Sequence, residues 1–296
     1  MNPTLQLLKF LLLVHFPSAS SIACYDEKFY LTGDDARHIL ILDSGYQTID
    51  SIVLFNHPEI RIPKSEKADF EASTVLPIDN KPHLLIFGSA SGKERKRIML
   101  IPLLGNEPYL KRSYDKEFIS QVRNLGIKPL NLEGVTSTGE QLILANRGSQ
   151  SFPENHLIIT SGYFWEKNNS SIRSIRLLMP HVTTGFNGVS EISYLKSNDM
   201  LLLTFSTENT KDNYKDGAIG DSYIGWIRNF SGKLNSSEIK LDGLINLAEE
   251  DKVFKNQKIE GICVEFFTGD TYILHLVSDN DQGMSHVFQI RLKLKN

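Results

Sequence analysis

Asn131-Leu132-Glu133-Gly134-Val135-Thr136, then Ser137-Thr138-Gly139-Glu140, then Gln141-Leu142-Ile143-Leu144-Ala145-Asn146-Arg147-Gly148 reads as two short strands joined by a polar turn that contains a glycine. The first strand opens on an acidic residue, and the second is a continuous apolar run that ends in Asn-Arg-Gly. The same phrase recurs four more times. Its other copies open at Ser20-Ser21-Ile22-Ala23, Glu71-Ala72-Ser73-Thr74, Ser190-Glu191-Ile192-Ser193 and Glu260-Gly261-Ile262-Cys263. Their second strands close on Gly33-Asp34-Asp35, Gly88-Ser89, Ser206-Thr207-Glu208 and Ser278-Asp279. A unit that repeats along a chain and cannot bury its own faces must bury them against its neighbours, which is the logic of a β-propeller.

The gaps between copies supply further strands. His156-Leu157-Ile158-Ile159-Thr160 and Ser174-Ile175-Arg176-Leu177-Leu178 follow the third hairpin, while Tyr223-Ile224-Gly225-Trp226-Ile227 and Glu238-Ile239-Lys240-Leu241 follow the fourth. That makes about four strands per blade. The fifth copy ends one strand short, at Val287-Phe288-Gln289-Ile290-Arg291-Leu292, and the run from Lys9 to Phe16 has no partner of its own. The expected fold is therefore all-β: one β-propeller domain over residues 1–296, closed by the N-terminal strand. Five blades are expected, with six as the alternative because the spacing is uneven.

Composition narrows function by exclusion. A net charge of −3 and a pI near 6.3 give no electrostatic reason to expect nucleic acid. The basic run Lys93-Glu94-Arg95-Lys96-Arg97 reads as a solvated turn between strands. No stretch of apolar residues is long enough to span a membrane. Leu5 to Phe16 followed by Ser20-Ser21-Ile22-Ala23-Cys24 has the outline of a lipoprotein signal ending at Cys24, but Lys9 and His15 interrupt it, and cleavage there would remove a repeat strand. A cytoplasmic monomer is expected, with export as the alternative. Cys24 and Cys263 fall on neighbouring inner strands and are expected to remain free thiols.

In an antiparallel hairpin the first residue of strand one and the last of strand two share an end. Glu71, Glu133, Glu191 and Glu260 are therefore expected around one mouth of the channel, joined by Asp34, Asp35, Ser89, Asn146, Arg147, Glu208, Asn209, Asp279 and Asn280. Converging carboxylates raise one another's pKa unless a cation sits among them. Carboxylate and amide oxygens without histidine or cysteine suit a hard ion, Ca²⁺ first and Mg²⁺ second. A glutamate at such a position can instead satisfy backbone N–H groups where the channel narrows.

The strings NLEGVTSTGEQLILANRG and KIEGICVEFFTGDTYILHLVSDND resemble the Glu-Gly-Ile/Leu hairpins of the bacterial SdiA-regulated and esterase-like phytase propellers. More distantly they resemble the Glu-Gly strand of the gluconolactonase and paraoxonase group. With SASSIACYDEKFYLTGDDA and DGAIGDSYIGWI, the whole chain resembles a bacterial propeller family of unassigned role that neighbours these. The resemblance to the gluconolactonase group implies a catalytic divalent ion held by Glu133 or Glu260, with Asn146 and Asp279 among its ligands. The chain departs from that pattern at Ser20, at Glu191 (one position late), and in having no histidine placed as general base. Two functions follow as expectations. One is a propeller that binds a small molecule or a protein at an acidic channel mouth. The other is a metal-dependent hydrolase of esters, lactones or phosphoesters, in which Arg147 offsets developing charge and Glu208 or Asp35 serves as base.

Overall fold

The computed structural model describes residues 3–105, 108–166, 171–180, 186–208, 219–279 and 283–294. Strand β1 (Thr4–Leu13) precedes the first blade, which contains β2 (Ala19–Tyr25), β3 (Lys28–Gly33), β4 (His38–Leu42) and β5 (Thr48–Val53). Blade 2 contains β6 (Phe70–Ile78), β7 (Lys81–Gly88), β8 (Arg97–Pro102) and β9 (Leu110–Ser113), and helix α1 (Lys116–Asn124) follows it. Blade 3 contains β10 (Leu132–Ser137), β11 (Gln141–Asn146), β12 (Asn155–Ser161) and β13 (Arg173–Leu178). The inner three strands of blade 4 are β14 (Phe186–Leu195), β15 (Met200–Glu208) and β16 (Ile219–Arg228). Two short segments follow, β17 (Glu238–Lys240) and β18 (Gly243–Asn246), and blade 5 contains β19 (Lys258–Thr268), β20 (Thr271–Asp279) and β21 (Ser285–Lys293).

The ring has five blades, and β1 closes it by pairing antiparallel with β21, Thr4 opposite Lys293 and Leu13 opposite Ser285. The closing strand starts earlier than its apolar run suggests. One outer strand differs from the sequence reading: β17 does not complete blade 4 but adds a fifth strand, in parallel, to blade 3, and β18 takes the outer place in blade 4. Ile239 is buried beside Leu177, and Arg176 forms ion pairs with Glu238 and Glu154. This crossover stitches two neighbouring blades together.

The hydrophobic core is divided into five clusters, and each is a seam between adjacent blades. The second strand of each blade is apolar on both faces because a neighbouring blade covers each one. Leu142, Ile143, Leu144 and Ala145 are all fully buried, the odd and even positions lying in different seams. That explains the unbroken apolar runs where alternation would be expected of a half-exposed sheet. At the closing seam between blades 5 and 1, His275 Nδ1 lies 2.7 Å from Tyr46 Oη and its Nε2 lies 2.9 Å from Glu265 Oε2. Cys24 and Cys263 are free thiols packed in the same seam.

Candidate functional site at the channel mouth

Each inner strand carries a bulge at the same place. The register shifts between Ala19 and Ser21, Phe70 and Ala72, Leu132 and Gly134, Val189 and Glu191, and Ile259 and Gly261. The unpaired residues are therefore Ser20, Glu71, Glu133, Ser190 and Glu260. A bulge re-aims the side chain it carries. Here it builds a ring of three glutamates and two serines at one end of the channel.

The next position along is Ser21, Ala72, Gly134, Glu191 and Gly261 in the five blades. A Cβ on Gly134 would lie 2.9 Å from Ile192 N and 3.0 Å from Glu191 Oε1, and one on Gly261 would lie 2.9 Å from Ile22 N. The glycine of the Glu-Gly phrase is thus needed for inner strands to approach each other. Blade 4 places Glu191 here instead. Its Oε1 accepts from Val135 N at 2.9 Å and Ile192 N at 3.0 Å, and its Oε2 accepts from Ser21 Oγ at 2.6 Å. The residue is 1% exposed, and burial pushes its pKa well above the usual carboxylate range against the pull of these bonds. Glu191 is not among the mouth carboxylates. It joins blades 1, 3 and 4 across the axis at the channel's waist.

At the mouth itself, carboxylate oxygens of Glu71, Glu133 and Glu260 lie within 4.8 Å of one another. Asn131 Nδ2 donates to Glu133 Oε1 at 2.5 Å. Lys258 Nζ lies 2.8 Å from Glu260 Oε1 as an ion pair, although that oxygen receives no hydrogen bond. Glu71 belongs to a second trio with Asp34 and Asp69. That trio is balanced by cations: Lys67 bridges Asp34 and Asp69, Arg95 Nη1 lies 2.9 Å from Asp69 Oδ2, and Ser89 Oγ donates to the same oxygen at 2.5 Å. Burial, with Asp69, Glu133 and Asp34 acting in the same direction, raises the pKa of Glu71 well above its usual value. Burial raises Asp34 to about 6, with Lys67 opposing and Asp35 and Asp69 adding. The buried Asp34 Oδ1 accepts no hydrogen bond. The cavity these groups line has a volume of about 110 Å³.

The other expected site residues divide. Asp279 lines the mouth. Arg147 also reaches its wall, where its Nη1 donates to Ser190 Oγ and Ser206 Oγ, both at 3.0 Å, and its Nη2 donates to Ser206 O at 3.2 Å. Gly188 makes room for it, since a Cβ there would lie 2.4 Å from Arg147 Nε. The guanidinium thus fills the space beside the serine that replaces a glutamate in blade 4. Asn146 faces the segment before β10, accepting from Asn131 N at 2.7 Å, and Asp35 is paired with Arg61 at 2.8 Å. Neither lines the mouth cavity. Glu208 ends β15, but its side chain lies outside the described residues, as do Asn209 and Asn280.

Sequence reasoning missed Asp69, Asn131 and Lys258, each two residues before a bulge glutamate. The recurring phrases Asp-Phe-Glu, Asn-Leu-Glu and Lys-Ile-Glu, each a polar residue two before the glutamate, carried the signal. Lys67 and Arg95 come from flanking loops and had none.

Fold and site together define a five-bladed β-propeller with a carboxylate-lined channel mouth. Residues 15–292 match DUF6929, described as a family of unknown function, and the chain belongs to that family. No curated protein sequence matches it. The structure is similar to the Myxococcus xanthus glutaminyl cyclase, with 9% identity and a TM-score of 0.55, over 99% of this chain and 98% of that one. It also aligns with a Bacteroides vulgatus protein of the duf4221 family (12% identity, TM-score 0.45, 99% of both chains). A PQQ-bound aldose sugar dehydrogenase from Streptomyces coelicolor aligns at 9% identity and a TM-score of 0.42 over 99% of both chains. At these identities the likeness is one of fold.

Proposed function

We propose that the channel mouth binds a compact ligand centred on a divalent cation held by Glu71, Glu133 and Glu260, with Ca²⁺ preferred and Mg²⁺ second. The observation that carries this reading is the set of three carboxylates at equivalent bulges, with oxygens within 4.8 Å. Two ligands on opposite sides of a Ca²⁺ ion, each about 2.4 Å away, stand about 4.8 Å apart, so the trio needs little rearrangement to become a coordination shell. Glu260 Oε1 is buried and receives no hydrogen bond, and its one cationic neighbour, Lys258 Nζ at 2.8 Å, is a flexible side chain that a metal would displace. The Asp34, Asp69 and Glu71 trio is less suited because Lys67 and Arg95 already neutralise it. A cavity of 110 Å³ has room for an ion with a few waters. The resemblance of the Glu-Gly hairpins to the gluconolactonase group supports the same assignment.

Binding is favoured over hydrolysis because, among the described residues, the groups suited to catalysis are committed elsewhere: Arg147 to Ser190 and Ser206, and Asp35 to Arg61. A bound ion would still polarise a ligand oxygen coordinated to it.

Thermal denaturation with Ca²⁺, Mg²⁺ or chelator tests the proposal. A ligand at a hundred times its Kd stabilises the folded state by about 2.7 kcal/mol, so Tm should rise with Ca²⁺ and rise less with Mg²⁺. In Glu133→Gln and Glu260→Gln the rise should vanish while Tm in chelator stays near wild type. A wild-type Tm indifferent to Ca²⁺ at millimolar concentration would remove the metal and the hydrolase alternative together.

A further inference from the structure

On the same face as the mouth, the loop after β7 separates two surfaces of opposite character. Its Arg95 turns inward to Asp69, whereas Lys93 and Lys96 line a groove of about 830 Å³ against α1. Lys116, Arg123 and Lys128 form the other wall. Residues 93–128 contain nine Lys or Arg against four Asp or Glu, in a chain whose net charge is −3. The rest of the chain is therefore strongly acidic, and its positive charge gathers here.

Among the described residues, none of these five cations forms an ion pair. The two carboxylates lining the groove are occupied: Asp115 Oδ1 caps α1 by accepting from Phe118 N at 2.6 Å, and Glu94 pairs with Arg97 at 2.8 Å. A groove with its anions engaged and five cations unpaired presents a positive potential to solvent. Lys116 and Arg123 are seven residues apart on α1, which at 1.5 Å per residue is about 10 Å. One compact anion cannot reach both ends of that span. The ligand has to carry charge along its length.

We propose that this groove binds an extended acidic peptide segment, rich in Asp and Glu, from a partner protein. The lining argues for that class of polyanion. Its apolar members, Tyr114 and Ile119, are both buried, so no exposed aromatic ring is available to stack a base, and no apolar side chain projects to enter a lipid layer. Four of the five cations are exposed, on long side chains that can reach successive carboxylates of an extended chain.

Fluorescence anisotropy of a labelled ten-residue glutamate peptide against the full chain, at low salt, tests this. Wild type should bind, binding should weaken steeply with added salt, and Lys116→Glu/Arg123→Glu should weaken it about tenfold or more. A glutamate at the first position of α1 favours the helix dipole and one in its last turn opposes it, so the two changes offset, and an unchanged far-UV CD spectrum would show that loss of binding does not reflect an unfolded helix. Lys93→Glu/Lys128→Glu, on loops at the edges of the groove, should act in the same direction. Lys252→Glu, exposed outside the groove, should leave binding unchanged. Absence of wild-type binding, binding by both double variants as tight as that of wild type, equal weakening by Lys252→Glu, or binding of a ten-nucleotide oligo-dT as tight as that of the peptide would overturn the proposal.

Discussion

Glu133 and Glu191 come from consecutive blades, sit on equivalent inner strands and are both buried, at 8% and 1% exposure. One is a bulge residue and faces two other carboxylates at the mouth. The other lies a single position further on and is clamped by an N–H of blade 3, a hydroxyl of blade 1 and its neighbouring N–H in blade 4. The mouth brings three carboxylates together within 4.8 Å of one another, with Lys258 beside one of them. The waist surrounds one carboxyl group with donors and needs nothing more. A one-residue step thus separates a candidate ligand from a structural clasp, because the bulge decides which way each side chain is aimed.

Opening the ring is the strongest way to break this contrast, since both sites exist only while five inner strands converge. Deleting residues 1–16 removes β1 and uncovers β21, where Val287, Phe288, Ile290 and Leu292 are fully buried. Partial exposure of four such side chains should cost roughly 5 kcal/mol or more, comparable to the whole stability of a typical domain. Urea denaturation should find the truncated protein unfolded or nearly so. A removable leader would leave the midpoint where it was, and that result would discard β1 as the closing strand.

The next largest effect should come from the waist. Glu191→Ala strands three donors around a new void and should destabilise by about 3 kcal/mol, whereas Glu191→Gln keeps an acceptor and should cost less, about 1 kcal/mol. Glu133→Ala, measured in chelator, should lie within about 0.5 kcal/mol of wild type, since it relieves repulsion at the mouth while giving up the Asn131 contact. Urea midpoints at constant m-value would check the order. If Glu133→Ala proved the costlier change, the mouth would be the structural clasp and the contrast would be reversed.

How much of this the sequence shows follows from the same geometry. The blades were legible because the repeat preserves small or acidic residues at strand starts and unbroken apolar runs in second strands, and Glu71, Glu133 and Glu260 fell on one alignment. Glu191 was grouped with them because an alignment by residue type absorbs a one-residue offset, whereas a sheet does not. The crossover of β17 to blade 3 was invisible for another reason. Three residues, Glu238, Ile239 and Lys240, fit either neighbouring blade, and the choice is made by packing of Ile239 and by the ion pair between Glu238 and Arg176. Lys67 and Arg95 reach the mouth from loops outside the repeat, so no periodicity marked them.

The smallest expected effect sharpens the contrast by pH. Glu71 has a raised pKa in the folded chain, and Asp34 is raised from 3.8 to about 6. Well below these values both groups are protonated whether the chain is folded or not. As pH rises past the ordinary carboxylate range, the unfolded chain releases their protons first, so the folded state loses stability until pH passes the folded pKa; for Asp34 that window runs from 3.8 to about 6. In chelator, Glu71→Gln should therefore be more stable than wild type near neutral pH, and its advantage should shrink as pH falls. Ca²⁺ should reverse the order at neutral pH, because the ion stabilises the ionised carboxylates that Gln cannot supply, and the reversal should fade in acid, where protons compete for the same oxygens. Melting curves of the two proteins between pH 4 and 8, with and without Ca²⁺, read both effects. An advantage for Glu71→Gln that persists unchanged in Ca²⁺ would mean that the mouth relieves its crowding without a metal, and the difference between the two regions would then lie in position only.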